Sequence, residues 1–445
     1  MTVGDRKPRL LAPPSQARNS DLTGPLMALT RSQLEAATKA LELVLAFDRP
    51  ADAVLHDFLR AHRALGSHDR AFVGDAVYGV LRRMRTLEHL ASGRGPRFMV
   101  LAWLARYASA SVRNLAPSLS ADEATWLAGI KAASLDGLPL AVSLELPDWV
   151  VEKLSSQLSE SDLVALARGL NDAAPLDLRV NTLLSTREEV LRELVADGLA
   201  AVPTPYSPVG VRIRGRPAIN RHSLFTRGAV EVQDESSQLL GYLVAPRRHE
   251  LVVDFCAGAG GKTLHLGALM NSHGRIYALD VSASRLARLR PRLRRSRLSN
   301  VYPQVIHNEN DARVKRLSGK IDRVLVDAPC SGLGTLRRNP DLKWRQTPQS
   351  VAELVLKQTS ILRSAARLVK PGGRLIYATC SILREENEDI VSTFLAERSD
   401  FHELHSGDLL NRQGITLDTG CYLRLCPHIQ QTDGFFAAVL ERASS

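Results

Sequence analysis

The sequence predicts a multidomain protein: a helical N-terminal bundle, a small α+β module and a C-terminal α/β domain built on a doubly wound, mostly parallel sheet. Three observations carry this. The chain has 445 residues, too many for one hydrophobic core. Every convincing apolar period from Thr30 to about Leu144 is helical. From Leu251 to near Ala396 strand-like and helix-like segments alternate, as in a parallel sheet with crossover helices.

The elements follow in chain order. Residues 1–28 read as a flexible tail, rich in Pro, Arg and Ser up to Gly24 and without an apolar signal-peptide core. The expected domains then span 29–146, 147–232 and 233–445. In the first, Leu34, Ala37, Leu41, Val44 and Leu45 follow the i, i+3, i+4, i+7 rule, as do Phe72, Val73, Val77, Val80 and Leu81. Pro147 interrupts this pattern at the edge of a new helix, expected over Trp149–Leu170. Leu176–Thr182 then alternates like a strand, Thr186–Asp197 reads as a helix ending at Gly198, and Val209–Ile213 alternates again. In the last domain, strands are expected at Leu251–Asp254, Arg275–Asp280, Arg323–Asp327 and Arg374–Ala378. Helices are expected at Thr263–Met270, Ala283–Arg297 and Pro348–Val369. Tyr422–Leu425 and Phe435–Glu441 read as an antiparallel pair closing the chain.

Composition narrows the function. A net charge of +11 favours an acidic partner, most simply nucleic acid. Five cysteines show no zinc-ligand spacing. A reducing, cytoplasmic setting is therefore expected. No apolar run approaches the roughly 18 residues of a membrane span.

The segment Leu251–Thr263 joins a buried strand to a glycine cluster, Cys256-Ala257-Gly258-Ala259-Gly260-Gly261-Lys262, and then a helix. Such a turn brings backbone N–H groups and a helix N-terminus to a ligand. A P-loop requires Gly where Cys256 stands, and a dinucleotide fingerprint requires Gly where Thr263 stands. The next strand ends in Asp280, about 20 positions on, where a ribose would lie. Capping of the following helix is its other reading. At this point NAD and S-adenosylmethionine both remain candidates.

Two thiols decide between them. Cys330, in Asp327-Ala328-Pro329-Cys330, and Cys380, in Thr379-Cys380-Ser381, each follow a predicted strand and surface at one sheet edge. Nicotinamide chemistry needs no such pair. Methyl transfer to C5 of a pyrimidine needs a thiolate, because addition at C6 pushes electron density onto C5. A carboxyl group near N3, such as Asp327, assists that addition, and loss of the C5 proton can employ a second acid–base group.

These motifs resemble the RNA cytosine-C5 methyltransferases of the Nol/Nop/Sun family, and in particular its bacterial branch acting on small-subunit (16S) ribosomal RNA. The resemblance runs from about residue 30 to 440. It rests on Asp327–Arg345 and Tyr377–Glu388, on Arg179–Leu183 and Glu231–Asp234, and on the carboxyl end. It implies a Rossmann-like methyltransferase domain using S-adenosyl-L-methionine, a NusB-like helical domain, and RNA contact by the first two domains. It further implies Cys380 as nucleophile, Cys330 in product release, Asp327 at the cytosine and methyl donor, and Lys262 near the reacting centre. Cys256–Lys262 and Asp280 hold the cofactor, and Asp311 meets its adenine, with Asn308 and Asn310 as alternatives. A monomer is expected. One departure stands out: the family loop usually reads Cys-Ala-Ala-Pro-Gly-Gly-Lys-Thr, and Gly258-Ala259 replaces Ala-Pro here. Loss of Pro makes the loop less preorganised, yet retained activity is expected.

Basic residues cluster at Arg285–Arg297, read as a cationic helix surface, and at Arg337, Arg338, Lys343 and Arg345, read as phosphate contacts. Trp344 reads as packing or base stacking. A target cytosine must leave its stack to meet a thiol. The rival reading is an RNA-binding assembly factor with a vestigial site, and transfer RNA is the alternative substrate.

Overall fold

The computed structural model describes residues 29–444, apart from 109, 111 and 216. The tail expected over residues 1–28 lies outside the described residues. The chain divides into two compact units, Met1–Leu138 and Pro139–Ser445.

The first unit is helical throughout its described part. Its main helices are Arg31–Val44, Ala51–Ala61, Ser67–Arg82, Met84–Ala91, Pro96–Arg106 and Ala121–Ala132. Thr30 starts the first by a capping box with Gln33, which satisfies backbone N–H groups left open at a helix start. Its apolar stripe of Leu34, Ala37, Leu41 and Val44 is buried, as the helical period requires. Gly79 lets the third helix approach the Trp103 indole of the fifth, since a Cβ there would collide with the ring.

The second unit opens with the short helix Leu140–Ser143, followed by two longer ones, Asp148–Ser155 and Glu160–Asn171. The single helix expected over this stretch is broken because Ser159 turns back to cap Asp162 and starts a new one. A four-stranded antiparallel sheet follows, with β1 (Leu176–Val180), β2 (Ala201–Pro203), β3 (Gly210–Ile213) and β4 (Val230–Val232) in the order β2-β3-β1-β4.

The remaining strands form an eight-stranded sheet: β5 (Leu251–Asp254), β6 (Arg275–Asp280), β7 (Val301–Val305), β8 (Ile321–Asp327), β9 (Val369–Thr379), β10 (Phe401–Leu404), β11 (Leu423–Leu425) and β12 (Phe435–Arg442). The order is β10-β12-β9-β8-β5-β6-β7, and β11 pairs with β12. The five strands from β9 to β7 are parallel, and β12 runs antiparallel against β9. The expected pairing of Tyr422–Leu425 with Phe435–Glu441 is present as β11 and β12. Strand β7 was not legible in the sequence because Pro303 sits at its centre. Proline removes a ladder donor and is tolerated at a sheet edge, which is where β7 lies.

The two sheets share one apolar core. Leu178, Val211 and Val230 of the smaller sheet pack in a cluster with Val252, Leu325 and Ile376 of the larger one, joined by Leu239, Leu240 and Leu243 of helix Glu235–Val244.

Candidate active site

The carboxyl ends of β5, β6, β8 and β9 open into a cavity of about 610 Å³. It is lined by the glycine-rich turn and Asp280 on one side, and by Asp327, Cys330 and Cys380 on the other. The sheet accounts for this convergence. Parallel strands β8 and β9 pair Asp327 with Ala378, and the ladder extends one step, with Ala328 N–H donating to the Ala378 carbonyl at 2.9 Å. Both chains then leave the sheet side by side, and the Cys330 and Cys380 sulfurs end 3.4 Å apart. Gly334 N–H donates to the Cys380 carbonyl at 2.9 Å, and a Cβ on Gly334 would collide with that oxygen and with the Gly434 carbonyl. Only glycine permits the two thiol loops to fold together there.

The two half-buried thiols face unlike surroundings. Lys262 Nζ donates to Asp327 Oδ2 at 2.6 Å and lies 5.5 Å from the Phe435 ring centre. Burial opposes the charge on Lys262, but Asp327 and the Cys380 sulfur hold its ammonium above the ordinary lysine value. A cation thus serves Cys380. The Cys330 thiol is pushed far up, first by the Cys380 sulfur, then by burial, and further by the charge of Glu386. Cys330 therefore stays protonated in the free protein.

The glycine-rich turn bends at Gly258 (φ +55°) and Gly260 (φ +83°), left-handed conformations that favour glycine. A side chain on Gly258 would enter open space at the cavity wall. Two arginines brace the turn from behind: Arg292 donates to the Ala259 carbonyl and Arg179 to the Gly261 carbonyl, both at 2.7 Å. Glu231 in turn holds Arg292 at 2.9 Å and pairs with Arg295. The order expected to be lost with the missing Pro is thus supplied by charge-assisted hydrogen bonds. Replacing Arg292 with Ala should weaken cofactor binding roughly tenfold in calorimetry, the equivalent of one such bond. The affinity for RNA should not change in that variant.

Asp280 is almost fully buried and accepts from Gly258 N–H at 2.8 Å and Ser282 N–H at 2.7 Å, with Arg285 at 3.1 Å. It therefore pins the turn to β6, while Ser282 caps the helix Ala283–Ser296. Asp254, at the end of β5, is buried and accepts from the Thr263 hydroxyl at 2.6 Å, and burial pushes its carboxyl up to about 7. Cys256 is pushed well up by burial and by Asp254, Asp327 and Asp280, so it stays a neutral thiol.

The structure brings Cys256–Ala259, Gly261, Lys262, Asp280, Asp327, Cys330 and Cys380 to the cavity wall, and Gly260 shapes the turn behind it. Asp311, Asn308 and Asn310 do not line it. The Asp311 carboxylate accepts from Arg313 N–H at 2.8 Å and His307 N–H at 3.0 Å, which holds it below the usual carboxylate range and caps the turn Ala312–Lys315. The acidic residue of that loop that lines the cavity is Glu309, and Val281 and Ile306 line the cavity as well. Ser360 donates to Glu309 at 2.5 Å and Lys357 lies at 3.6 Å. Recognising β7 would have pointed to the loop after it, where Glu309 sits.

The phosphate contacts expected after Cys330 are largely overturned. Lys343 is fully buried and donates to the Glu145 carbonyl at 2.7 Å and Asn171 Oδ1 at 2.8 Å. Arg338 bridges Asp234 and Asp433, each at 2.7 Å. Arg337 is buried, and Arg345 is half-buried beside Asp341. Trp344 is half-buried, 5.0 Å from the Lys343 ammonium. In the helix Ala283–Ser296 and its cap, Arg285, Arg288, Arg290, Arg294 and Arg297 are exposed, as expected of a cationic surface, while Arg292 and Arg295 turn inward to Glu231.

Comparison with known proteins bears on this arrangement. Residues 241–441 match the family described as 16S rRNA methyltransferase RsmB/F, and residues 146–220 match its ferredoxin-like domain. A probable ribosomal RNA small subunit methyltransferase B from Synechocystis is 32% identical over 434 residues, covering 89% of this chain and 96% of that protein. The ribosomal RNA small subunit methyltransferase B of Sodalis glossinidius is 38% identical, covering 66% of this chain and 64% of its own. Among solved structures, that of PH0851 matches with a TM-score of 0.76 and 27% identity, covering 94% of this chain and all of the other. A methyltransferase homologue from Pyrococcus horikoshii matches with a TM-score of 0.58 and 26% identity, covering 70% of this chain and all of the other.

Proposed function

The chain belongs to the 16S rRNA methyltransferase RsmB/F family, and we propose that it methylates C5 of a cytosine in small-subunit ribosomal RNA, with Cys380 as nucleophile. The observation that carries the reading is the pair of sulfurs 3.4 Å apart at the mouth of a cavity built on a glycine-rich turn. The cavity fits S-adenosyl-L-methionine in chemistry: an open glycine-walled turn, a buried acid at the end of β6, and carboxylates toward the thiol end that suit a cationic sulfur. Cys256–Lys262 and Asp280 would hold it, with Glu309 toward the adenine. Bound there, it supplies the electrophilic methyl group that C5 takes.

The protein's own groups perform the rest. Cys380, served by the Lys262 cation, adds as thiolate to C6, and the C5=C6 π electrons shift toward N3. Asp327, anchored through Oδ2 to Lys262, lines the cavity, where a carboxyl near N3 assists this shift. Once C5 is substituted, its proton must leave so that the C6–S bond can break. The largest influence raising Cys330 is the neighbouring Cys380 sulfur. With that sulfur held as a thioether 3.4 Å away, the half-buried Cys330 gives its proton to solvent and, as thiolate, takes the C5 proton. The electron pair of the C–H bond then re-forms C5=C6 and expels Cys380.

The helical first unit serves, on this reading, as a NusB-like RNA-binding domain, with the exposed arginines after Ser282 adding phosphate contacts. No helix among the described residues is long and apolar enough to cross a membrane. The test is transfer of labelled methyl from S-adenosylmethionine to small-subunit ribosomal RNA by the purified chain. Incorporation supports the reading. RNA binding without incorporation supports the rival, a binding factor with a vestigial site.

A further inference from the structure

We infer that Glu386 is the positioning residue that clamps the two thiol loops together and keeps their roles unequal, an inference that rests on the reading of Cys380 as nucleophile. Glu386 is completely buried, where a carboxylate persists only if its oxygens are bonded. It accepts four hydrogen bonds from uncharged donors. Oε1 receives Ser331 N–H at 2.8 Å and Gln358 Nε2–H at 2.9 Å; Oε2 receives the Ser331 and Ser381 hydroxyls, each at 2.5 Å.

The identity of these donors is what matters. Ser331 is the residue after Cys330, and Ser381 is the residue after Cys380. One buried carboxylate therefore holds the residue next to each sulfur, although the two loops leave different strands. Gln358 extends the clamp by donating to the Pro329 carbonyl at 2.9 Å, on the other side of Cys330. The Tyr377 hydroxyl donates to the Glu386 carbonyl at 2.6 Å, tying the clamp to β9. Asn387 completes it, accepting from Thr379 at 2.5 Å and donating to the Ser381 carbonyl at 3.1 Å. None of these side chains lines the cavity, so their effect passes through the thiols.

Charge adds to geometry. The four donors carry no positive charge, so nothing in the clamp cancels that of Glu386. That charge acts on Cys330 and favours its protonated form. On the far side Lys262 places a cation by Cys380. The clamp thus fixes the spacing of the sulfurs and sets the charge of Glu386 against Cys330.

Two measurements on Glu386→Gln test this, both using the full chain. Gln fills the same space but loses the charge and one acceptor oxygen. Methyl transfer should lose about 100-fold in kcat, the scale of a 1 Å misplacement, with KM for RNA and cofactor retained. Iodoacetamide labelling of the RNA-free protein, mapped by peptide mass spectrometry, should modify Cys380 well before Cys330 in the native chain, and the difference should shrink in the variant. A merely structural role would not move that ratio in a folded variant. If Glu386→Gln fails to fold, Ser381→Ala, which cuts only the link to the Cys380 loop, should lower kcat at retained KM. Native kcat and a native labelling ratio in the folded variant overturn the inference. A native chain that transfers no methyl overturns the proposed function instead, and the labelling ratio tests the clamp without it.

Discussion

Cys380→Ala abolishes methyl transfer while RNA and cofactor still bind. The expected loss is at least about 10⁴-fold in kcat, the scale seen when a covalent nucleophile is removed. The reason is chemical. C5 of cytosine is too poor a nucleophile to take a methyl group unless a thiolate has first added at C6. Cys330 does not substitute for it, although the two sulfurs are 3.4 Å apart. It sits on a different loop, beside the charge of Glu386 rather than the Lys262 cation. The variant also removes only a small half-buried side chain at the cavity wall. Cofactor calorimetry and RNA gel-shift affinity should therefore match the native chain. Residual transfer within about tenfold of native would rule out covalent catalysis by this residue.

Cys330→Ala gives the opposite failure: the reaction starts and does not finish. With Cys380 intact, addition to C6 and methylation of C5 proceed. Without Cys330 the C5 proton has no nearby acceptor, and the C6–S bond cannot break. A protein–RNA species that survives denaturing electrophoresis should accumulate with S-adenosylmethionine present, one RNA per chain, and ribonuclease should collapse it to the protein band. The double variant lacking both thiols should form none. Native turnover and no adduct in Cys330→Ala would show that another group takes the proton.

How much of this was legible in the sequence depended on whether the chemistry was local. The thiol motifs were legible because each follows directly on a predicted strand, and neighbouring parallel strands deliver their carboxyl ends to one edge. The glycine-rich turn and Asp280 were legible for the same reason. The cavity's far end was not, since Pro303 disguised β7 and hid the loop carrying Glu309. The fates of the basic residues were not legible either. Lys343 and Arg338 sit in an RNA-like basic pattern, but their partners, Glu145, Asn171 and Asp433, are distant in sequence and meet them only in the folded chain. Arg292 likewise read as surface charge until Glu231 and the Ala259 carbonyl appeared beside it. Glu386 lay within a quoted motif, yet its four donors come from three separate segments.

The central claim concerns which atom receives the methyl group. Small-subunit ribosomal RNA is incubated with the purified chain and S-adenosylmethionine carrying a deuterated methyl, digested to nucleosides and resolved by mass spectrometry. The two-thiol site predicts the label in 5-methylcytidine, and none when Cys380 is replaced. Label in a ribose 2′-O-methyl, in N4-methylcytidine or in another base would contradict it, because none of those positions needs a thiolate at C6.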